Sequence, residues 1–278
     1  MEEVAVNTVR GLVVIALSTV TMTLGLLGLL AIPTDPLASA TSQQWVTTAS
    51  YRPLPNVKAV SCAPSSNTCV AVGDDGNNNY ATILVSNDGG STWTESTTPS
   101  GTTSLSAISC PTASVCYAGG GTGILKSTNG GSTWVDQNST FSAQSISCFT
   151  TDECTAVGGL GIVKTSNGST WVSQVPTLEL GPLASVSCPD ELTCVAVGVV
   201  DSQAEVIGTQ NGGTSWSTLT LTLSPSLLSL SAVSCAGSLN CVAVGLATGG
   251  TVTSIATTDF DDWSFTSSIP DGSQISAL

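Results

Sequence analysis

The chain contains no histidine and few charged residues of any kind. Charged side chains make up 9% of its 278 residues, against about a quarter in an average globular protein. Without histidine, the chain lacks the most common general base and the most common metal ligand. Nucleophilic triads of the usual kind, in which histidine is the base, are therefore excluded.

Basic residues are particularly scarce. Five Lys and Arg face nineteen Asp and Glu, which gives a formal net charge of −14. A protein that binds nucleic acid needs a basic stripe to neutralise phosphates, and this chain cannot build one. The acidic charge also argues against binding to anionic membrane surfaces. The composition therefore predicts no nucleic-acid partner.

One long apolar segment occurs, near the beginning of the chain. Residues 11–32 carry no charge and follow Arg10. The segment is long enough to cross a bilayer, and Pro33 and Pro36 would end a helix after it. It is also longer than the apolar part of an ordinary export signal.

The residues that follow this segment indicate export. Ala38-Ser39-Ala40 is a cleavage pattern of small residues. We expect residues 1–40 to be a signal peptide that is cleaved after Ala40. An uncleaved signal anchor is the alternative, and it would be the only contact with a membrane. In both cases residues 41–278 lie outside the cytoplasm, in the extracellular space or at the cell surface.

Cysteine, in contrast, is abundant and comes in close pairs. The intervals within the pairs are longer than the C-x2-4-C spacing of most zinc sites, and no histidine is available to complete such a site. An exported chain with an even number of cysteines favours five local disulfides. The pairs are Cys62/Cys69, Cys110/Cys116, Cys148/Cys154, Cys188/Cys194 and Cys235/Cys241.

The cysteine pairs belong to an internal repeat. In each copy a Val-Ser-Cys or Ile-Ser-Cys segment precedes a second cysteine that leads to a glycine, as in Val60-Ser-Cys62 and Cys69-Val-Ala-Val-Gly73. The first cysteines of successive copies are 48, 38, 40 and 47 residues apart. A period of about 40–50 residues is typical of propellers and solenoids. In the first repeat, short apolar or alternating runs predict four strands. They are Val57–Cys62, Cys69–Val72, Ala81–Ser86 and Thr92–Ser96.

Each copy also carries a second marker, which we call the turn motif. Its first copy is Ser86-Asn-Asp-Gly-Gly-Ser-Thr-Trp93, and the third and fifth copies are one residue shorter. Asp or Asn can accept bonds from backbone N–H groups in a tight turn, Gly permits a positive φ, and Trp can cover the turn. We therefore expect a structural role for the motif. Its main residues are Asp88, Gly90, Trp93, Asn129, Gly131, Trp134, Asn167, Trp171, Asn211, Gly213, Trp216, Asp259 and Trp263.

The turn motif resembles the Asp-box, or BNR, repeat S-x-D-x-G-x-x-W of sialidase-like β-propellers. The same repeat occurs in sortilin-type receptors and in a photosystem II assembly factor. The resemblance covers roughly residues 45–278 and implies an all-β propeller of four-stranded antiparallel blades. It also implies five complete repeats, each with a disulfide between its first two strands, and an incomplete sixth repeat is the alternative.

Fragments at both ends bear on the number of blades. Residues 42–48 resemble the last strand of a blade, and residues 275–278 resemble the start of a first strand. We favour a five-bladed ring with loose end strands. A truncated gene and strands supplied by another chain are the alternatives. The apolar segment Leu219–Leu230 predicts either an exposed contact patch or, with more weight, a lengthened and partly buried strand.

The resemblance does not extend to sialidase chemistry. That family grips a substrate carboxylate with three arginines, because a planar guanidinium matches a carboxylate, whereas only Arg52 follows the signal segment. Tyr51, Tyr80 and Tyr117 are the only candidates for the family's tyrosine nucleophile, and none has a recognisable context. We therefore predict no catalytic residues, no cofactor and no metal.

In propellers that resemble this chain, ligand sites generally lie on the loops opposite the turn motif. The polar residues expected there could bind a sugar or donate oxygen ligands to Ca²⁺, although no EF-hand spacing is present and ordinary solvated loops are the alternative. These residues are Asp74, Asp75, Asn77, Tyr80, Asp201 and Glu205.

The predicted function is a binding or scaffold module that recognises an extracellular protein or a glycan. A glycoside hydrolase or lyase is one alternative, because Asp74 or Asp75 could face Asp201 or Glu205 across a cleft. An assembly factor for a membrane complex is the other alternative.

Overall fold

A computed structural model describes residues 56–76, 80–159, 161–174, 180–222 and 226–269. The secondary structure of these residues consists of twenty-one β-strands, without a helix, which confirms the predicted all-β class. They all belong to one compact unit. Within these ranges, no helix has the length and apolar character that crossing a membrane requires. The predicted signal segment, residues 1–40, lies outside the described residues.

The strands form five sheets that follow one another along the chain, and we number the sheets 1 to 5 in that order. In sheets 1 to 4, strands that are consecutive in sequence are antiparallel neighbours. Sheet 1 consists of β1 (Asn56–Cys62), β2 (Cys69–Asp74), β3 (Ala81–Ser86) and β4 (Thr94–Ser96). Sheet 2 consists of β5 (Leu105–Ser109), β6 (Cys116–Gly120), β7 (Gly123–Ser127) and β8 (Val135–Asn138). Sheet 3 consists of β9 (Ser145–Cys148), β10 (Cys154–Gly158), β11 (Gly161–Thr165) and β12 (Val172–Gln174).

The last two sheets follow the same plan with one addition. Sheet 4 consists of β13 (Leu183–Ser187), β14 (Cys194–Val200), β15 (Gln203–Thr209) and β16 (Ser217–Thr218). Sheet 5 consists of β17 (Thr220–Thr222), β18 (Leu227–Cys235), β19 (Cys241–Ala247), β20 (Val252–Thr257) and β21 (Asp262–Ile269). The four strands predicted for the first repeat agree with β1–β4 to within two residues at each end.

Strand β17 is an unpredicted fifth strand of sheet 5. It follows the short last strand of sheet 4 and pairs in parallel with β21, the outer strand of sheet 5. The N–H of Thr220 donates to the carbonyl of Asp261 at 3.1 Å. In the flanking segment, Leu219, Leu227 and Leu230 are buried. The apolar segment Leu219–Leu230 is therefore largely strand and core, which agrees with the favoured interpretation of its sequence.

Disulfides join all ten cysteines in the predicted pairs. Each bridge links the first and second strands of one sheet, and in sheets 1, 3 and 5 the two cysteines are direct partners in the strand register. The zinc alternative is thereby excluded for these pairs.

The glycine four residues after the second cysteine has a packing role in every sheet. A Cβ atom at this position would overlap a backbone carbonyl oxygen of the first strand or of the residues leading into it. The first strand also carries a β-bulge beside this glycine in sheets 1, 2, 4 and 5. Only glycine permits this close approach of two backbones. The glycines are Gly73, Gly120, Gly158, Gly198 and Gly245.

Consecutive sheets pack face to face, and we call each such contact a junction. An apolar cluster fills the junctions between sheets 1 and 2, 2 and 3, 3 and 4, and 4 and 5. A hydrogen bond also crosses every junction from the first cysteine of one sheet to the preceding sheet. The N–H of this cysteine donates to the serine hydroxyl just before the first cysteine of that sheet. The four bonds are Cys110 to Ser61, Cys148 to Ser109, Cys188 to Ser147 and Cys235 to Ser187.

The end fragments on which closure of the five-membered ring depends, residues 42–48 and 275–278, lie outside the described residues. The first strand of each of sheets 2 to 5 lies against the preceding sheet, and no comparable packing joins sheet 5 to sheet 1 within the described ranges. The sequence repeat shows how each sheet packs on the next, but it does not show where such a series ends.

Candidate functional site

The turns of every sheet divide between two edges. The disulfide turn and the turn motif of one sheet lie side by side, because a backbone N–H in the motif donates to a carbonyl in the disulfide turn. We call this the motif edge, and we call the other, which carries the β2–β3 and equivalent turns, the opposite edge. The five bonds run from Gly89 to Asn67, Gly130 to Ser114, Gly168 to Asp152, Gly212 to Leu192 and Phe260 to Leu239.

At the motif edge the two aspartates of the turn motif, Asp88 and Asp259, accept hydrogen bonds from their own turns. Asp88 accepts bonds from the Thr92 hydroxyl at 2.6 Å, the Thr92 N–H at 2.8 Å and the Ser86 hydroxyl at 2.7 Å. These bonds, the Thr92 hydroxyl first, lower the pKa of Asp88 to about 2. Bonds from the Asp262 N–H and then the Thr257 hydroxyl lower the pKa of Asp259 in the fifth copy.

In the first two copies of the motif, the tryptophan is hydrogen-bonded to a glycine of the same turn. The indole N–H of Trp93 donates to the carbonyl of Gly90 at 2.9 Å, and Trp134 makes the same bond to Gly131. Gly89 and Gly90 have φ values of 71° and 92°. In the fifth copy Phe260 adopts the positive φ, at 76°. In the first two copies these bonds are made within the turn itself, whereas the indole N–H groups of Trp171 and Trp216 in the third and fourth copies are buried without a hydrogen-bond partner.

At the opposite edge of sheet 1, Asp74 is the centre of a buried polar network. Its side chain is fully buried and forms an ion pair with Lys58, with Nζ 2.7 Å from Oδ2. The Ser104 hydroxyl donates to Oδ2 at 2.9 Å, and the Gly76 N–H donates to Oδ1 at 2.8 Å. The Asn56 amide donates to Oδ1 at 3.3 Å. Because Ser104 leads into sheet 2, this network ties the two sheets together.

The network decides the charge of Asp74. Burial raises the pKa of this carboxyl, but the bonds from Lys58, Gly76, Ser104 and Asn56 together outweigh burial and leave the pKa below its ordinary value. Asp74 therefore carries a negative charge at neutral pH, and both of its oxygens are engaged inside the protein.

The turn that follows Asp74 presents an aromatic ring to solvent. The N–H of Asp75 donates to the carbonyl of Tyr80 at 3.0 Å, which closes the turn at its base. Tyr80 is 71% exposed, the largest exposure among the bulky apolar and aromatic side chains of the described residues. Asn77, the other predicted residue of this turn, lies outside the described residues.

The predicted residues of sheet 4 have two different environments. Asp201 is exposed, and with Ser202 it forms the two-residue turn between β14 and β15, at φ values of 47° and 64°, as expected for a type I′ hairpin turn. Glu205 is 5% exposed, and one of its carboxylate oxygens, Oε2, is buried without a hydrogen-bond partner. Burial raises the pKa of Glu205, and a bond from the Gly181 N–H only partly offsets this effect.

The two groups of predicted carboxylates belong to different sheets. Asp74 and Asp75 belong to sheet 1, and Asp201 and Glu205 belong to sheet 4, with sheets 2 and 3 between them in the packing order. In the described part of the chain, no group of three or more acidic or cysteine side chains is arranged to hold a metal ion.

Three lysines have contacts that the sequence analysis missed. Lys58 donates to Ser104 at 2.6 Å in addition to its ion pair. Lys126 and Lys164 reach across junctions to the turn motif of the next sheet, where they donate to the carbonyls of Gly168 and Gly212 at 2.7 and 2.9 Å. Lys126 and Lys164 occupy equivalent positions in Gly-Ile-Leu-Lys-Ser and Gly-Ile-Val-Lys-Thr, and this repetition is the signal that could have identified them.

The arrangement of the sheets is similar to that of several solved structures. The GH74 enzyme of Niastella koreensis aligns over 75% of this chain and 38% of its own, with 17% sequence identity and a TM-score of 0.62. YCF48 bound to a D1 peptide aligns over 75% of this chain and 65% of its own, with 18% identity and a TM-score of 0.56. The WD40 β-propeller domain of Doa1 aligns over 76% of this chain and 67% of its own, with 10% identity and a TM-score of 0.53. The chain has a β-propeller fold.

The similarity to these structures establishes the propeller fold but no activity, because every sequence identity is low. This propeller chain spans less than two thirds of the length of the GH74 enzyme and of YCF48. No protein-family model matches its sequence. A search of curated proteins also gives no match.

Proposed function

We propose that this propeller is a non-catalytic binding or scaffold module that works outside the cytoplasm and recognises an extracellular protein or a glycan. The observation that carries the proposal is the exposed ring of Tyr80. It stands at the end of a turn whose base is fixed by the buried network of Asp74. An exposed tyrosine ring suits both sugar stacking and protein contacts, because it offers a large apolar face at little entropic cost.

The charges of the described residues restrict the ligand further. Lys58, Lys126 and Lys164 are all engaged in internal contacts, and the described ranges contain no arginine. A strongly anionic ligand would therefore find no available cation there. A neutral glycan or a protein surface without excess negative charge fits better, and Asp75 and Asp201 at the same edge can accept hydrogen bonds.

A structural neighbour supports a peptide or protein as one of these ligands. YCF48, which shares the propeller fold with this chain, is bound to a D1 peptide. If this chain is an assembly factor, its ligand would likewise be a peptide segment, supplied by the protein that it helps to assemble. The disulfide in every sheet supports a location in an oxidising environment, as the predicted export signal does.

The proposal is tested by presenting the purified exported protein to a glycan array and to an array of extracellular peptides. For each ligand found, we expect Tyr80→Ala to weaken binding by at least tenfold, which corresponds to about 1.4 kcal/mol. Val135→Ala is the matched control, because Val135 is also exposed but lies on β8, the outer strand of sheet 2. Binding that is unchanged in Tyr80→Ala would overturn the assignment of the site.

A glycoside hydrolase is a second candidate because Glu205 is buried and has a raised pKa, as a general acid requires. Hydrolysis assays on the same glycans separate this candidate from simple binding. Release of sugar that is lost in Glu205→Gln would favour the enzyme over the binding module. We expect intact glycans, because Glu205 belongs to sheet 4, whereas the candidate second carboxylates Asp74 and Asp75 belong to sheet 1.

The location is tested by N-terminal sequencing of the protein from its native host. We expect the mature chain to begin at Thr41. A chain that retains residues 1–40 would instead be anchored, and the binding module would then act at the membrane surface.

A further inference from the structure

The chain contains two copies of the sequence Asn-x-Ser/Thr, the acceptor sequence for N-linked glycans in exported proteins. They are Asn138-Ser139-Thr140 and Asn167-Gly168-Ser169. The first segment begins at the end of β8 in sheet 2, and the second is part of the turn motif of sheet 3. Because so short a sequence also arises by chance, the surroundings of each asparagine decide whether an enzyme can reach it.

The first segment lies at the surface, on the opposite edge of sheet 2. Asn138 is the last residue of β8, the outer strand of this sheet, and the next two residues, Ser139 and Thr140, are exposed. Strand β8 follows the turn motif and therefore ends at the opposite edge. There the carbonyl of Asn138 lies against Gly123, in the turn between β6 and β7. An enzyme that approaches this edge from solvent meets the acceptor sequence directly.

The side-chain hydrogen bonds of the first segment stay within the segment. The hydroxyl of Thr140 donates to Oδ1 of Asn138 at 2.8 Å, and the N–H of Thr140 donates to the same oxygen at 3.1 Å. The amide nitrogen, Nδ2, has no hydrogen-bond partner among the described residues. The amide and the hydroxyl that the acceptor sequence requires are therefore adjacent, and no side-chain bond to another sheet has to break before Nδ2 is available.

The second segment, in contrast, is held in place by the neighbouring sheet. Oδ1 of Asn167 accepts the N–H of Ser169 at 3.0 Å inside the turn motif. The middle residue, Gly168, is buried and has a φ of 64°. Its carbonyl accepts bonds from Lys126 at 2.7 Å and from the hydroxyl of Tyr117 at 3.2 Å, both in sheet 2. Presenting this segment to an enzyme requires breaking contacts that join sheet 3 to sheet 2.

We propose that Asn138 carries an N-linked glycan, which is transferred to the folded protein, and that Asn167 remains unmodified. The donor is a sugar joined through its C1 atom to a lipid phosphate. A bond forms between C1 and Nδ2 of Asn138 while the bond from C1 to the phosphate oxygen breaks. The lipid phosphate leaves with the electron pair, and Nδ2 gives one of its two protons to a base of the transferring enzyme. The proposal rests on the proposed location outside the cytoplasm.

The test is peptide mapping by mass spectrometry of the protein isolated from the surface or the medium of its native host. The peptide with residues 138–140 is expected to carry a sugar, and the peptide with residues 167–169 is expected to carry none. Asn138→Gln and Thr140→Ala should each lose the sugar, because they lack the acceptor nitrogen and the required hydroxyl. Thr140→Ser keeps a hydroxyl and should keep the sugar. Ser139→Ala is the matched control and should also keep it.

A second experiment isolates the effect of the fold. The chain is produced without a glycan and is offered to a purified oligosaccharyltransferase with a lipid-linked oligosaccharide. One sample is folded, and the other has been reduced and alkylated so that its five disulfides cannot re-form. Asn138 is expected to be modified in both samples, and Asn167 only in the unfolded one. Circular dichroism checks that the folded sample and the variants retain their strands.

Three outcomes overturn the proposal. The first is exported protein without a sugar on Asn138, and the second is a sugar that persists in Thr140→Ala. The third is a modified Asn167 in the native protein, or an Asn167 that stays unmodified even in the unfolded chain, since the fold would then not select between the two sites. N-terminal sequencing of the same sample reports on export by itself, so a missing glycan is distinguishable from a failure of the proposed location.

Discussion

Single buried polar residues connect the repeated sheets, and Asp74 is the clearest example. Sequence analysis placed this residue in a polar loop after the second strand, whereas the structure places it at the end of β2, where its side chain is fully buried. Its partner Ser104 is thirty residues away, in the connection to sheet 2. That contact depends on how two sheets stack, which no local pattern in the sequence reports. The sequence therefore identified a carboxylate at the correct edge but not its internal partners.

We predict that Asp74→Asn destabilises the protein by about 1–3 kcal/mol at neutral pH, because it removes the ion pair with Lys58 and weakens three further bonds. The folded-state pKa of Asp74 lies below its ordinary value. The stabilisation is therefore present above about pH 4 and is lost as the pH falls through the folded-state pKa. Urea unfolding at several pH values should show the wild type and the variant converging in acid. Asp136→Asn, at an exposed position on β8, is the control and should be neutral.

The turn motif offers a natural comparison between aspartate and asparagine. Asn stands at the position of Asp88 in three of the five copies and accepts the same backbone bond. We predict that Asp88→Asn folds normally. Because the pKa of Asp88 is about 2, its charged form contributes stability above about pH 4. The wild type, but not the variant, should lose that contribution as the pH falls toward 2, as followed by thermal melting. An identical acid response of the two proteins would contradict the prediction.

At the scale of the strand, the repeat was the most informative feature of the sequence. The cysteine spacing predicted the disulfide pairs, and the alternating runs predicted the strands of sheet 1, because a hairpin is specified by residues that are close in sequence. Strand β17 was not predicted. It pairs with β21, some forty residues later, and short Thr-Leu-Thr segments do not specify such a distant parallel partner.

Two adjacent glycines in sheet 3 provide a matched pair of variants. Gly158 lies against the carbonyl of Ser142, so a Cβ atom would overlap the backbone, whereas a Cβ atom on Gly159 would meet nothing within 4 Å. We predict that Gly158→Ala costs about 1–3 kcal/mol, because the segment that leads into the first strand must shift. Gly159→Ala should change stability by less than about 0.5 kcal/mol. Chemical denaturation of both variants is the measurement, and equal stability would show that this segment yields without cost.

Each disulfide should stabilise its own hairpin and little else. The bridge between Cys188 and Cys194 spans a sequence separation of 6, and closing so short a loop is worth about 2 kcal/mol in the chain-entropy model. We predict that the double variant Cys188→Ser, Cys194→Ser folds with a lower melting temperature, measured by circular dichroism. Complete misfolding of this variant would mean that the bridge holds sheets together and not only one hairpin.

Over the whole molecule, stability should depend on how many neighbours a sheet has. A repeat architecture is stabilised mainly by contacts between adjacent units. Among the described strands, sheet 1 packs against one other sheet, whereas sheet 3 packs against two. We predict that, in dilute protein, amides in the β1–β2 pairing exchange with solvent at least about tenfold faster than those in the β9–β10 pairing. Hydrogen exchange followed by mass spectrometry measures both. Equal protection of the two hairpins would indicate that sheet 1 is covered on both sides.

The outer strands of the five sheets also differ in how readily a strand of another molecule could pair with them. The outer strands β4, β8, β12 and β16 are two to four residues long. Such short edge strands make poor templates for aggregation. Strand β21 has eight residues and would offer a much longer template. Strand β17 pairs with the first three residues of β21. It thereby covers part of this edge and protects the fifth sheet from edge-to-edge polymerisation.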